Sequence, residues 1–151
     1  DGKQIGVEVD FPPDIGIIIE SPGFLPQLSG LKNLEILAGL KRKIGLKEVA
    51  DTIRQVGLDP LSAKPVGKYS LGMRQRLGIA QAIMERPSLL ILDEPMNGLD
   101  KYGVAEMRAL FRSLATDGRT ILLASHNIQD IEELCDTVCE MDAGVMTMVK
   151  E

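Results

Sequence analysis

The stretch Tyr69–Asp100, YSLGMRQRLGIAQAIMERPSLLILDEPMNGLD, carries more architectural information than any other part of this chain. Ser70 is a natural helix N-cap, because its hydroxyl can accept a first-turn N–H that has no partner inside the helix. The residues after it run without a breaker to about Met84, and Pro87 lies just past that end. Leu89-Leu90-Ile91-Leu92 is then a continuous apolar strand that ends in Asp93-Glu94-Pro95. A strand apolar at every position is covered on both faces, which is the condition of a parallel sheet between helices.

The flanking sequence repeats that alternation. Upstream, Ile15-Gly16-Ile17-Ile18-Ile19 is a compact β-branched run between Pro13 and Pro22, predicting a buried strand. Ser29 can cap a helix through Leu31, Leu34, Ile36 and Leu37, ending near Gly39. A second helix is predicted from Leu46 to Val56, with Val49, Ile53 and Val56 on one face and Gly57 at its end. Residues 59–68 form a Pro/Gly/Ser linker. Downstream, a helix from about Tyr102 places Val104, Met107, Phe111 and Leu114 on one side. Asp117-Gly118 turns into Thr120-Ile121-Leu122-Leu123-Ala124, predicted to be another buried strand. Ser125-His126-Asn127 follows, then a helix through Ile128, Ile131 and Leu134. Thr137–Met141 and Val145–Val149 read as a hairpin around Asp142-Ala143-Gly144. The expectation is one α/β domain: a parallel-sheet core from residues 1–21 and 87–151, interrupted by a helical subdomain over about 22–86.

Composition narrows the function classes. The 151 residues are 44% hydrophobic and 26% charged, a mix suited to a packed domain rather than a disordered chain. Seventeen Lys+Arg against 22 Asp+Glu give a net charge of −5, which argues against a nucleic-acid partner. Aromatic residues make up 3%, with no Trp, too few for a base-stacking platform. One histidine excludes a multi-histidine metal site. The two cysteines, Cys135 and Cys139, form no CxxC pair and read as small, partly buried hydrophobes in a reduced compartment. No stretch reaches the roughly 20 apolar residues of a membrane span.

Polar residues gather just after the strand ends, at Asp93-Glu94 and Ser125-His126. In open α/β sheets that is the ligand edge. Two consecutive carboxylates at a strand end face opposite sides. One can hold Mg²⁺, which takes one or two carboxylates together with water and phosphate oxygens. The other is free to orient or deprotonate a water. Taken alone, the same pair reads as a loop start with solvated acids. The Ser70-headed helix adds free N–H groups, a positive dipole end and a hydroxyl, all suited to a phosphate. Taken alone, it reads as an ordinary capped helix.

Taken in order, these segments resemble the nucleotide-binding domain of ATP-binding-cassette (ABC) ATPases, a P-loop NTPase-like fold. Ser70-Leu71-Gly72-Met73 matches the signature motif, usually LSGGQ. Here Tyr69, Leu71 and Met73 depart from it, while Ser70 and Gly72 are kept. Leu89 to Asp93 matches the Walker B strand, Glu94 the catalytic glutamate, Asn97-Gly98-Leu99-Asp100 the D-loop and His126 the switch histidine. Glu20-Ser21-Pro22 stands at the Q-loop, with Glu20 in place of Gln.

The resemblance implies ATP and Mg²⁺ as ligands. Asp93 would hold Mg²⁺ through water, with Glu20 as a further metal residue. Glu94 would act as general base and His126 would contact the γ-phosphate. Ser70, Leu71, Gly72 and Met73 would face the ATP of a second cassette, and Asn97 and Asp100 would communicate across that interface. The implied protein is the ATP-hydrolysing subunit of a transporter, at the cytoplasmic face of the membrane, beneath a transmembrane permease subunit. It is similar to the subunits of bacterial peptide-antibiotic or multidrug exporters. The segment Pro22–Leu31, with Phe24 expected to be exposed between prolines, is a candidate dock for the permease or a loop packed on its own subdomain.

One element of the pattern is absent. No G-x-x-x-x-G-K-[ST] occurs in the 151 residues. The family places that P-loop upstream of Asp1, so the chain is expected to be a fragment that alone binds ATP poorly, hydrolyses none, and is marginally stable or self-associating. Two other readings fit the family: an inactive regulatory or binding module, and a soluble, non-transport ABC ATPase. Only about 50 residues separate Glu20 from the signature helix, which suits a transporter better than a protein with inserted coiled coils.

Overall fold

The computed structural model describes residues 4, 6–8, 14–19 and 23–150. In chain order the elements are β1 (Ile15–Ile18), α1 (Gly30–Lys41), α2 (Leu46–Gln55), α3 (Leu71–Ile83), β2 (Leu89–Asp93), α4 (Lys101–Thr116), β3 (Thr120–Ala124), α5 (Ile128–Leu134), β4 (Val138–Asp142) and β5 (Val145–Lys150). A short 3-10 turn, Val66–Lys68, precedes α3.

β1, β2 and β3 form a parallel sheet in that order. Ile15 pairs with Leu89, Leu89 with Thr120, and Asp93 with Ala124. The register brings the ends of β2 and β3 to one edge, so that Glu94 and Ser125-His126 leave the sheet side by side. The bond from Glu94 N–H to Ala124 O, 2.9 Å, extends the pairing past the strand. The α/β class and the parallel sheet therefore follow the alternation read from the sequence.

The core is continuous between the sheet and the helices. Leu90 and Leu92 of β2, Leu77 and Ile79 of α3, Leu34 of α1 and Val49 of α2 have no exposed surface. Burying each such side chain contributes about 1.5–3 kcal/mol. α3 packs against both α2 and β1. Its approach to β1 depends on Gly16, where a Cβ would lie 2.0 Å from Ala82 O.

Four local expectations are corrected. α1 does not stop near Gly39 but continues to Lys41. Arg42 then takes a left-handed conformation and its N–H bonds Ala38 O, which ends the helix without glycine. β3 is not a buried strand: its residues alternate between exposed and half-buried, and Leu122 is 60% exposed. Among the described residues β3 pairs on one side only, and Thr120, Leu122 and Ala124 lie exposed on one face. Phe24 is half-buried against the core rather than exposed, whereas Leu25 beside it is exposed. Cys139 is exposed, with its Sγ 3.7 Å from Met148 Sδ on the paired strand, because the β4–β5 hairpin stands apart with nearly all its residues exposed.

Candidate functional site

The chemistry sits where β2 and β3 end. β2 stops at Asp93, and Glu94 takes a left-handed conformation with φ 45°. A non-glycine residue held there costs on the order of 1–3 kcal/mol and persists only when its surroundings over-determine it. Here the surroundings do so. Glu94 N–H donates to Ala124 O. The Glu94 carbonyl accepts Asn97 N–H at 3.1 Å and Gln75 Nε2 at 3.3 Å. Glu94 is therefore not a strand residue facing the opposite side from Asp93, as alternation alone predicts, but the first residue of the turn.

His126 meets the Glu94 side chain. Its backbone N–H donates to Oε1 at 2.9 Å, and Nδ1 lies 2.5 Å from the same oxygen. The hydrogen bond to Glu94, and next its negative charge, hold the imidazole pKa above its ordinary value of 6.5. Partial desolvation opposes this and the Asp130 charge adds to it. Glu94 Oε2 has no protein partner among the described residues, which leaves one carboxylate oxygen for a water. With Nδ1–H donating to Glu94, Nε2 is the ring nitrogen left facing outward, and the side chain is 80% exposed. Glu94, Asn97, Gly98, His126, Asn127 and Asp130 line one cavity of about 240 Å³.

Asp93 and the Ser70 segment lie outside that cavity lining. The Asp93 carboxylate is half-buried and has no protein partner among the described residues. Among the described residues no group of three or more His, Cys, Asp or Glu converges there. Such a lone carboxylate fits Mg²⁺, which completes its shell with water and phosphate oxygens, and does not fit an ion needing an all-protein cage. Ser70 is exposed at the head of α3, and its Oγ accepts Met73 N–H at 3.2 Å. Leu71 is 54% exposed, while Gly72 and Met73 are half-buried. Gly72 abuts the 94–100 turn, since a Cβ on it would lie 2.8 Å from Gly98 O. Gly98 has φ +76°, and a Cβ there would meet Leu71 at 2.5 Å. Asp100 caps α4, its Oδ1 accepting Gly103 N–H at 2.8 Å. Glu20 lies outside the described residues.

The fold has known counterparts. A family model described as ABC transporter matches residues 2–97, well over half of the chain. This chain belongs to the ABC transporter family. Among ABC transporter relatives, it is 42% identical over 143 residues to the uncharacterized ABC transporter ATP-binding protein YybJ of Bacillus subtilis, covering 95% of this chain and 66% of that protein. It is 49% identical over 128 residues to the bacitracin transport ATP-binding protein BcrA of Bacillus licheniformis, covering 82% and 41%. The lantibiotic transport ATP-binding protein SrtF of Streptococcus pyogenes is 38% identical over 139 residues, covering 91% and 59%. The chain thus spans two thirds or less of the length of these curated relatives. A solved structure described as the dimeric structure of MJ0796, a bacterial ABC transporter cassette, shares the fold with a TM-score of 0.79. It is 20% identical and covers 91% of this chain and 64% of that one.

Three residues of this ABC cassette that structure joins to the site carried no role in the sequence reading. Gln75 is one. The others are Arg108 of α4 and Asp130 of α5, both buried and bonded to each other through Arg108 Nε at 2.8 Å and through Nη2. That pair docks the helix that follows His126, and Glu133 accepts Arg108 Nη1 at 3.0 Å beside it. Gln75 stands between Arg74 and Arg76, so the signal was its helical spacing, four residues before Ile79 and seven before Ala82 on the apolar stripe of α3.

Proposed function

We propose that this chain is part of the ATP-binding and ATP-hydrolysing subunit of an ABC transporter. It would work against a second cassette, identical or not, and beneath a transmembrane permease subunit at the cytoplasmic face of the membrane. The observation that carries this reading is the contact of His126 with Glu94 at the shared end of β2 and β3, with one Glu94 oxygen left free.

In this reading Glu94 is the general base. His126 holds one of its oxygens, so the free Oε2 orients and deprotonates the attacking water. The outward Nε2 of His126 donates to the γ-phosphate when the ring is protonated, and the raised pKa favours that state. Asp93 would hold Mg²⁺ through water, with Glu20 a further candidate, and the ion would supply charge neutralisation at the phosphate oxygens. Ser70, Leu71, Gly72 and Met73 present the N-terminal turn of α3 to the ATP carried by the partner cassette, and Asn97 and Asp100 face the same interface. Phosphoryl transfer asks mainly for positioning and charge stabilisation, which these groups supply. In this reading β1, β2 and β3 belong to the sheet core, and the helices over about 22–86 form the helical subdomain. No G-x-x-x-x-G-K-[ST] occurs within the 151 residues, so turnover by these residues alone is not expected.

Relatives named for bacitracin and lantibiotic transport support a peptide antibiotic as the cargo. Among the described residues no helix is long and apolar enough to cross a membrane, which suits a peripheral subunit. The test is ATP hydrolysis by the subunit assembled with its partners, beside Glu94→Gln. The variant should retain ATP binding while kcat falls by about 10²–10⁴-fold. Equal turnover in the two proteins would remove Glu94 from the reaction.

A further inference from the structure

We propose that Gln75 is a positioning residue that ties the Ser70-headed helix to the backbone of Glu94, so that occupancy at the start of α3 governs the placement of the carboxylate in the same chain. The inference rests on the ATPase reading above for its functional consequence, and on geometry alone for the link itself.

Gln75 is a polar side chain only 6% exposed, one turn into α3. A buried amide left without a partner costs about 1–3 kcal/mol, so its bond to the Glu94 carbonyl is strongly retained. That carbonyl belongs to the residue with the left-handed φ of 45°. The other bonds to the Glu94 backbone, from Asn97 N–H and to Ala124 O, come from its own turn and from the neighbouring strand. Among the described residues, Gln75 alone joins it to a different helix.

A second contact makes α3 and the turn one body. Gly72 and Gly98 lie so close that a Cβ on either would collide with the other segment, at 2.8 Å from Gly98 O or 2.5 Å from Leu71. Arg76, the next residue along, anchors α3 elsewhere. It donates through Nη1 to Val56 O and through Nη2 to Glu106, each at 2.7 Å. The first two turns of α3, the 94–100 turn and the start of α4 are therefore mechanically continuous. A displacement of Ser70 and Gly72 by a bound phosphate has a direct path, through one amide, to the strained backbone that aims the Glu94 side chain. In a cassette pair this path would connect the half-site that Ser70 faces with the half-site that Glu94 serves.

The test uses Gln75→Met, which keeps the side chain's length without its donor, and Gln75→Glu, which sets a carboxylate against the carbonyl. His126 is the sole histidine, so its ring resonances at fixed pH report the Glu94 contact without assignment ambiguity. Both variants should move those resonances in the protein without nucleotide, while the methyl signals of Leu34 and Ile53 stay in place. In the assembled transporter, kcat should fall on the order of 10- to 100-fold with the KM for ATP unchanged. Unmoved histidine resonances in a folded variant, a changed KM at full kcat, or loss of the fold in both variants would each overturn the proposal. The last would make Gln75 a packing residue. Absence of turnover in the unsubstituted protein is a failure of the ATPase reading instead, and the histidine spectrum still decides the Gln75 link.

Discussion

His126 grips Glu94 twice, by its main-chain N–H at 2.9 Å and by its ring Nδ1 at 2.5 Å, both on Oε1. The two residues are 32 positions apart in the chain and meet because β2 and β3 are parallel neighbours in register. Since the contact raises the folded-state pKa of His126 above 6.5, the protonated ring is the bonded one. The stabilisation is fully present below about 6.5 and is lost as pH rises through the raised value. A pH titration of the single histidine by NMR should give a midpoint above the ordinary value, and Glu94→Gln should bring it back down. An unchanged midpoint in that variant would show that another group sets it.

Arg108 and Asp130 form a buried ion pair between α4 and α5, with 8% and 3% exposure. Arg108→Met should destabilise the protein by about 3–5 kcal/mol, because it strands a buried carboxylate. Adding Asp130→Leu should recover most of that loss, since the unpaired charge goes with it. Urea denaturation of the single and double variants checks this. Additive losses would mean that the two side chains do not act as a pair.

Gly98→Ala places a side chain at φ +76° and against Leu71. Gly118→Ala provides the comparison, with φ +88° and nothing within 4 Å. Backbone strain of about 1–3 kcal/mol should appear in both. The Gly98 variant should lose more, and should also perturb the backbone resonances of Leu71 and Gly72. Equal losses in the two variants would refute close packing of the 94–100 turn on α3.

Gly16→Ala in β1 should cost about 1–3 kcal/mol or more, because its Cβ would lie 2.0 Å from the Ala82 carbonyl and β1 or α3 must shift. Thermal unfolding measures it. A variant as stable as the parent would place α3 farther from the sheet.

The order of elements was legible because the signals are local. Val49, Ile53 and Val56 recur at helical spacing and all end up buried. Leu90 and Leu92 sit in an unbroken apolar run and become the centre of the sheet. Ser29 and Ser70 cap the helices expected of them. Glu94 and His126 are recognisable as strand-end residues from the apolar runs that precede them. The end of α1 was set by the left-handed cap at Arg42, but β3, Phe24 and Cys139 were misjudged for one shared reason. Burial depends on what else arrives: β3 is as apolar as β2, yet Leu122 is 60% exposed because nothing described covers that face.

The chain's own pattern of apolar spacing, caps and breakers was sufficient for the α/β class, the order of the strands' chemistry and the edge where the acids and the imidazole lie. Short-range sterics and burial act on neighbours, so they can be read along a line. Folding in three dimensions supplied the left-handed turn at Glu94, the Gln75 bond to its carbonyl, the Arg108–Asp130 pair and the interlocked Gly72 and Gly98. Those contacts join residues 19 or more positions apart, and their distances depend on how helices settle on the sheet rather than on any local preference.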